Sequence, residues 1–426
     1  MTEHTKYDFR HSSQEQRIEF LKELRGLTDE EAMELKNSFS LSHESGNRLV
    51  ENYISSIEVP MGIATNFLIN GKEYLIPMAT EEPSVIAACS HGAKIAKECG
   101  GFEAHASESL MIGQIQLVEF ENRLKAEEAI LSHKKNIIDM ANEKSNTLKS
   151  MGKGAKDLQL NNEILADDMI VIHLIVDVGD AMGANIINSM CEHVAPHIEK
   201  ITGGTVVLKI LSNLSPLRIA TARAEFPSSK IGGEEGVKRF LYAARQAVID
   251  PYRATTHNKG IMNGIDAVLL ATMNDWRQAE ANAHAYASRS GHYSSLTSYE
   301  KLPNGNISGT IKIPISAGTV GGTSRSVPRA RIGMKILNLS GAREFEEVLA
   351  CVGLAQNFAA MRALSGEGIQ KGHMALHSKN IAISVGAKGE EIEKVSNMLI
   401  ESGSITMSQA AKLLEELRRQ DENGKK

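Results

Sequence analysis

Aromatic side chains make up only 4% of this chain, with a single tryptophan. Few bases or sugars could be stacked on so few rings. Positive charge is not in excess either. Lys and Arg number 47 against 52 Asp and Glu, leaving a net charge of −5. Neutralising phosphates needs a basic surface, which argues against a protein built for nucleic acid. Cysteine is sparse. Cys89, Cys99, Cys191 and Cys351 include no CxxC pair, so zinc-knuckle and dithiol redox motifs are absent. A chain of 426 residues can bury a core without disulfides. The opening stretch MTEHTKYDFRHSSQEQR has no apolar core of a secretory signal. Apolar runs such as VIHLIVDV fall far short of the ~20 residues that span a bilayer. These absences predict a soluble, reduced protein of the cytoplasm.

What is present is ordinary globular material, 42% apolar and 23% charged. At ~150 residues per domain the length suggests about three domains or subdomains. The 35 glycines imply many close backbone approaches. Residues 14 to 36 carry Ile18, Leu21, Leu24 and Leu27 at helical spacing and predict one amphipathic surface helix. Asn70-Gly71 between two apolar runs predicts a hairpin. A helix is expected to start at Pro83 and stop at Gly100-Gly101. Residues 108 to 213 alternate strand, long charged helix, strand, helix, strand, as in a compact α/β subdomain inserted in a larger one. Residues 259 to 289 read as one Ala-rich helical region. Gly366, Gly368 and Gly372 are expected to form a hinge before a C-terminal module of strand NIAISVGA and two charged helices.

Five stretches can carry chemistry. Glu82 precedes Pro83 at the expected helix start, where a carboxylate is more often a cap than an acid. A proton-donating role needs burial or a neighbouring anion to raise its pKa. DVGDAMGANIIN leads from a strand through Gly179 and Gly183 into a helix, whose first amides suit a phosphate. It is not GxGxxG, and a plain βα turn is the simpler reading. Arg253, His257, Lys259, Asn263 and Asp275 gather around one helical region, with Gly260 and Gly264 allowing close approach to a ligand. A lone lysine is usually a solvated charge; paired with an aspartate it can steady a developing oxyanion. Trp276 is expected to wall the core. His373 and His377 are four apart, but Met374 stands where a zinc-binding HExxH needs Glu. A general acid behind a glycine hinge is the sharper reading. SAGTVGGTSRSVP is either an ordinary loop or one pressed against a ligand.

Taken together, EEPSVIAA, DAMGAN, THNKGIMNG, ATMNDWR, VGLAQNFAAMRAL and GHMALH resemble, in order and separation, the bacterial class II hydroxymethylglutaryl-CoA reductases. The resemblance runs from Phe9 to the C-terminal module. It implies an α+β fold, with a large mixed substrate domain (1–107 and 214–367), an inserted ferredoxin-like cofactor domain (108–213) and a C-terminal flap (368–426). It implies NAD(P)H-dependent reduction of 3-hydroxy-3-methylglutaryl-CoA to mevalonate and CoA, through mevaldyl-CoA and mevaldehyde, without a metal. The same site run backwards would oxidise mevalonate, and an inactive CoA-binding protein is the rival from another class.

Residue by residue, the resemblance makes Lys259 the oxyanion partner and Asp275 its tuning carboxylate. Glu82 becomes a proton donor, and His373 protonates the departing CoA thiolate. A donor titrating near ~6.5 suits a thiol whose pKa is roughly 8.5. Asn263 would hold Glu82 and Lys259, Ser84 and Arg253 would grip the substrate carboxylate, and Arg10 the CoA phosphates. The cofactor would lie over Asp180, Ala181, Met182, Gly183, Ala184 and Asn185. NADH-preferring relatives carry an Asp where Ser145 stands here, beside Lys144. Its absence removes repulsion of a 2′-phosphate and favours NADPH over NADH. The family's site lies at a dimer interface, so a homodimer, or a larger assembly of dimers, is expected.

Overall fold

The structure is a computed structural model that describes residues 7–37, 41–163, 166–322, 326–366 and 378–423. Three short helices come first: α1 (Gln14–Arg25), α2 (Asp29–Lys36) and α3 (His43–Leu49). The single helix expected over 14–36 is therefore two. Gly26 takes the left-handed conformation that ends α1, and Thr28 caps α2 through a reciprocal bond with Glu31.

Strands β1 (Met61–Ile69) and β2 (Lys72–Ala79) form the predicted hairpin, with Asn70 and Gly71 both at positive φ in its turn. Helix α4 (Val85–Lys97) and strand β3 (Phe102–Ala106) follow. The chain then builds a second sheet from β4 (Leu110–Val118), α5 (Arg123–Ser132), α6 (Lys134–Asn142), α7 (Asn146–Ser150), β5 (Gly154–Leu160), β6 (Met169–Asp177), α8 (Ala184–Thr202) and β7 (Thr205–Leu211). Its order is β5-β6-β4-β7 with every pair antiparallel, the ferredoxin-like arrangement. Strand β5 is absent from the sequence reading. A register shift between Ala155 and Asp157 breaks the alternation that would have marked it. The long charged helix over 122–144 is also two helices, broken at His133.

The chain returns to the first sheet with β8 (Ile219–Phe226), then α9 (Gly233–Ile249), α10 (Pro251–Ala271), α11 (Trp276–Ala287), β9 (Thr297–Lys301), β10 (Ile307–Pro314), α12 (Pro328–Leu337) and α13 (Ala342–Ser365). That sheet reads β2-β1-β3-β8-β10-β9. The expected Ala-rich helix over 259–289 is broken at 272–275, where Met273 adopts positive φ and Asp275 caps α11.

Helix α13 is long and apolar enough to cross a membrane by length and composition, but 67% of that stretch is buried inside the protein. It packs on the first sheet and against α4 and α10. Gly92 of α4 makes this contact possible: a Cβ there would stand 2.4 Å from the carbonyl oxygen of Ala355. Each sheet has its own hydrophobic core. At the C-terminus, residues 378–384 are helical rather than a strand. Ile381 and Ala382 are buried side by side, with exposed residues on both flanks, which is a helical pattern and not an alternating one. They pack with the helices Glu390–Ser402 and Met407–Asn423 into a third small core.

Candidate active site

Glu82 sits on the turn that leaves β2, its N–H donating to the Thr80 hydroxyl at 3.2 Å. The helix expected at Pro83 starts two residues later, because Ser84 adopts a left-handed backbone (φ 75°). Such a residue costs ~1–3 kcal/mol and persists only where its surroundings hold it. The Ser84 hydroxyl makes no capping bond to α4, which leaves it available to a ligand.

Helix α10 faces this turn. Asp250 caps it and Pro251 occupies its first position. One side is core: Ala254, Ile261, Ile265 and Val268 are buried. His257 belongs to that side too. Its ring meets the Thr297 hydroxyl at 2.6 Å and Asn357 at 3.1 Å, and burial pushes its pKa down to about 3, so it stays neutral. Lys259 and Asn263, four residues apart, share the opposite side. Lys259 Nζ donates to Glu82 Oε2 at 2.9 Å, and Asn263 Nδ2 reaches the same oxygen at 3.4 Å. The pair is open to solvent in a single chain, Lys259 being 59% exposed and Glu82 37%.

Behind Lys259 lies a string the sequence reading missed. Burial and a hydrogen bond to Glu280 raise the Asp266 pKa to about 9. Burial acts on Glu280 as well, but the His284 imidazole 2.6 Å away, the hydrogen bond from Asp266 and the charge of Lys259 together outweigh it and hold that carboxyl low. The proton of the pair therefore rests on Asp266. His284 Nδ1 meets the Tyr293 hydroxyl at 2.6 Å, which also accepts from Asn258. The spacing of seven between Lys259 and Asp266 was the available clue.

Asp275 is not joined to Lys259 within one chain. It accepts the Gln278 N–H at 3.0 Å as the cap of α11 and lies 3.6 Å from Arg277. The expected pairing therefore does not form inside one subunit among the described residues, since Asp275 heads a different helix. Trp276 does not wall the core; it is 38% exposed with Arg277 over its ring. Arg253 touches Met361 Sδ at 3.5 Å and has no carboxylate partner among the described residues. Arg10 lies on an exposed turn, its N–H bonded to Asp8. It contributes, with Arg362, Lys94 and Lys230, to a positive field that together with burial lowers the pKa of His91. His373 and His377 lie outside the described residues.

The loop before α8 is a second candidate surface. Gly183 (φ 106°) precedes the helix and offers no side-chain cap, so the first amides of α8 are unsatisfied. A Cβ on Gly183 would stand 2.6 Å from Val178. Ala184 and Asn185 open the helix. The Asp180 carboxylate faces inward and accepts the Ala342 N–H at 2.9 Å, capping α13. Ser145 caps α7 by accepting from Leu148 at 3.2 Å. Lys153 lies against the loop: a Cβ on Gly179 would stand 3.0 Å from its Nζ. Among the described residues no group of His, Cys, Asp and Glu could hold a metal.

A sequence profile of the hydroxymethylglutaryl-coenzyme A reductases matches residues 13–378. The 3-hydroxy-3-methylglutaryl-coenzyme A reductase of Archaeoglobus fulgidus is 49% identical over 407 residues, covering 95% of this chain and 93% of its own. A probable enzyme of the same name from Borreliella burgdorferi is 37% identical over 88% of each chain. The class II enzyme of Streptococcus pneumoniae, solved bound to NADPH in open conformations, superposes with a TM-score of 0.80 at 37% identity, covering 96% of this chain and 100% of that one.

Proposed function

The chain belongs to the hydroxymethylglutaryl-CoA reductase family, and from that premise we propose how its own residues run the reaction. It is an NAD(P)H-dependent oxidoreductase that reduces 3-hydroxy-3-methylglutaryl-CoA to mevalonate and CoA. Each turnover consumes two NADPH and two protons. Bound NADPH supplies hydride to the thioester carbonyl and then to the aldehyde.

Lys259 steadies the oxygen that becomes negative as hydride arrives. Glu82 returns a proton to that oxygen, and Asn263 keeps both groups in register. The observation that carries this reading is the single oxygen Oε2 of Glu82, which gathers Lys259 Nζ and Asn263 Nδ2 on an open surface. Ser84, whose hydroxyl makes no capping bond, and Arg253, without a carboxylate partner among the described residues, take the substrate carboxylate. Arg10 takes the CoA phosphates. Lys94, Lys230 and Arg362 extend the same positive surface. His373, on the flap, protonates the leaving thiolate.

The residues around Gly183 fit a dinucleotide. Free amides at a helix N-terminus meet phosphate oxygens, and Asp180 keeps its carboxylate turned away from them. NADPH is the favoured form. Ser145 presents no carboxylate to a 2′-phosphate, and Lys153 beside Gly179 supplies a cation. The domain boundaries 107/108, 213/214 and 367/368 belong to this reading, supported by a separate core within the inserted sheet.

We assign the active form as a homodimer in the cytoplasm. Ile54 and Ile57, each 94% exposed on a stretch without regular secondary structure, suit an interface with a second copy. Asp275 then meets Lys259 across subunits. The test is nicotinamide absorbance during incubation with hydroxymethylglutaryl-CoA. Two NADPH oxidised per CoA released is the expected outcome, and no consumption of either NADPH or NADH removes the reading.

A further inference from the structure

Arg218 and Glu346 form an ion pair with both side chains 0% exposed. Arg218 Nε and Nη2 reach Glu346 Oε1 at 2.7 and 2.6 Å. Burying two charges costs several kcal/mol per ion before their attraction is counted, so such a pair is weak evidence of a stability role. The rest of the guanidinium shows what it holds. Nη1 donates to the carbonyls of Ala181 at 3.1 Å and Met182 at 3.4 Å, and Nη2 donates to the carbonyl of Ala317 at 2.9 Å. One side chain thus joins the loop before α8, the glycine-rich loop after β10 and the first turns of α13.

The neighbouring contacts tie the same three segments. Thr319 N–H donates to the Asp180 carbonyl at 2.9 Å, and Asp180 Oδ1 accepts from Ala342 at 2.9 Å. Two glycines allow the approach. A Cβ on Gly318 would stand 2.9 Å from Met182 N, and one on Gly341 would stand 2.7 Å from Asp180 Oδ1. The motif SAGTVGG, left open between ordinary loop and ligand loop, is here the outer brace of the α8 loop.

A trans peptide points its C=O and N–H in opposite directions. Holding the Met182 carbonyl inward therefore turns the Gly183 N–H away from Arg218, toward the start of α8. We propose that Arg218, held by Glu346, is a positioning residue for the nicotinamide cofactor: it fixes the carbonyls of Ala181 and Met182 so that the amides ahead of α8 remain presented to phosphate. The inference rests on the reading of Asp180 to Asn185 as the cofactor loop.

The test uses the full-length protein and separate binding titrations with NADPH and hydroxymethylglutaryl-CoA. Arg218→Met with Glu346→Leu removes both charges without stranding one. NADPH Kd is expected to rise about 10-fold or more, the scale of a small misplacement in a preorganised site. The Kd of hydroxymethylglutaryl-CoA is expected to stay within about twofold, because a general loss of structure would move both. Unchanged NADPH affinity, or equal weakening of both ligands, overturns the proposal. Should the double variant not fold, Arg218→Lys decides by the same comparison. It keeps the charge for Glu346 but cannot reach all three carbonyls. Ala184→Asp separates the two levels by placing a carboxylate at the start of α8. If it leaves NADPH binding intact, the cofactor-loop reading fails. If it abolishes binding while the Arg218 variants do not weaken it, only the positioning role fails.

Discussion

In the proposed reading, helix α10 and the loop ahead of α8 both present charge toward a ligand, and they are built differently. On α10 the charge belongs to side chains. Lys259 and Asn263 project from one face of a 21-residue helix whose other face is packed in the core. Their spacing of four is enough to bring them to one carboxylate. In the loop the charge belongs to the backbone. The unsatisfied amides at α8 have direction only because Arg218, Asp180 and Thr319 hold the chain from behind. A helix carries its own geometry; a loop borrows geometry from residues far away in sequence.

The largest expected effect breaks the α10 side. Lys259→Ala should lower kcat by at least ~10²–10³, the usual scale for removing an oxyanion partner. Turnover followed by NADPH absorbance checks it, and near-normal turnover would refute the proposed role. Arg253→Gln comes next. It removes the proposed charged partner of the substrate carboxylate and should raise the KM for the thioester about 10–100-fold, matching ~1.5–3 kcal/mol for a hydrogen bond to a charged group. The KM for NADPH should stay level. A rise in both would point to a structural defect instead.

On the loop side the corresponding probe is Ser145→Asp. It places a carboxylate where the proposed reading puts the cofactor ribose and should reduce the NADPH-to-NADH preference by ~10-fold in kcat/KM. No change in that ratio would place the 2′-phosphate elsewhere, with Lys153 as the next residue to substitute.

The contrast also explains what could be read in advance. The hairpin at Asn70-Gly71 was legible because its turn chemistry is local. The grouping of Lys259 with Asn263 was legible for the same reason, one helical turn. The ferredoxin-like order of the inserted sheet was carried by family resemblance rather than by periodicity, since β5 hides its pattern behind a register shift between Ala155 and Asp157. Breaks at Gly26, His133 and 272–275 were missed because each interrupts a run whose composition stays helical on both sides. Arg218 and Glu346 were beyond reach. They stand 128 residues apart and lie in no motif, and burial of both ions is a property of the assembled core. Asp266 offered only its spacing of seven from Lys259, and the packing of α10 on α11 is what turns it and Glu280 into a pair.

That pair supplies the smallest effect, and it tests whether α10 is as self-contained as its Lys259 face suggests. Asp266 binds its proton more tightly in the folded protein, with a pKa of about 9 against an ordinary 3.8. A raised carboxyl pKa gives stability that is full below the unfolded value and is lost as pH rises through the folded one. Stability should therefore decline between about pH 4 and about pH 9 from this group. The groups facing it are Glu280, whose charge strengthens the shift, and beyond that His284 and Lys259. Asp266→Asn keeps the shape and removes the titration. Its Tm should fall less steeply with rising pH than that of the unaltered protein, measured by thermal unfolding at steps from pH 4 to pH 9. Parallel pH profiles for the two proteins would show that the proton does not reside on Asp266. The side of α10 behind Lys259 would then carry a second negative charge, and the balance that leaves Lys259 to Glu82 would have to be drawn again.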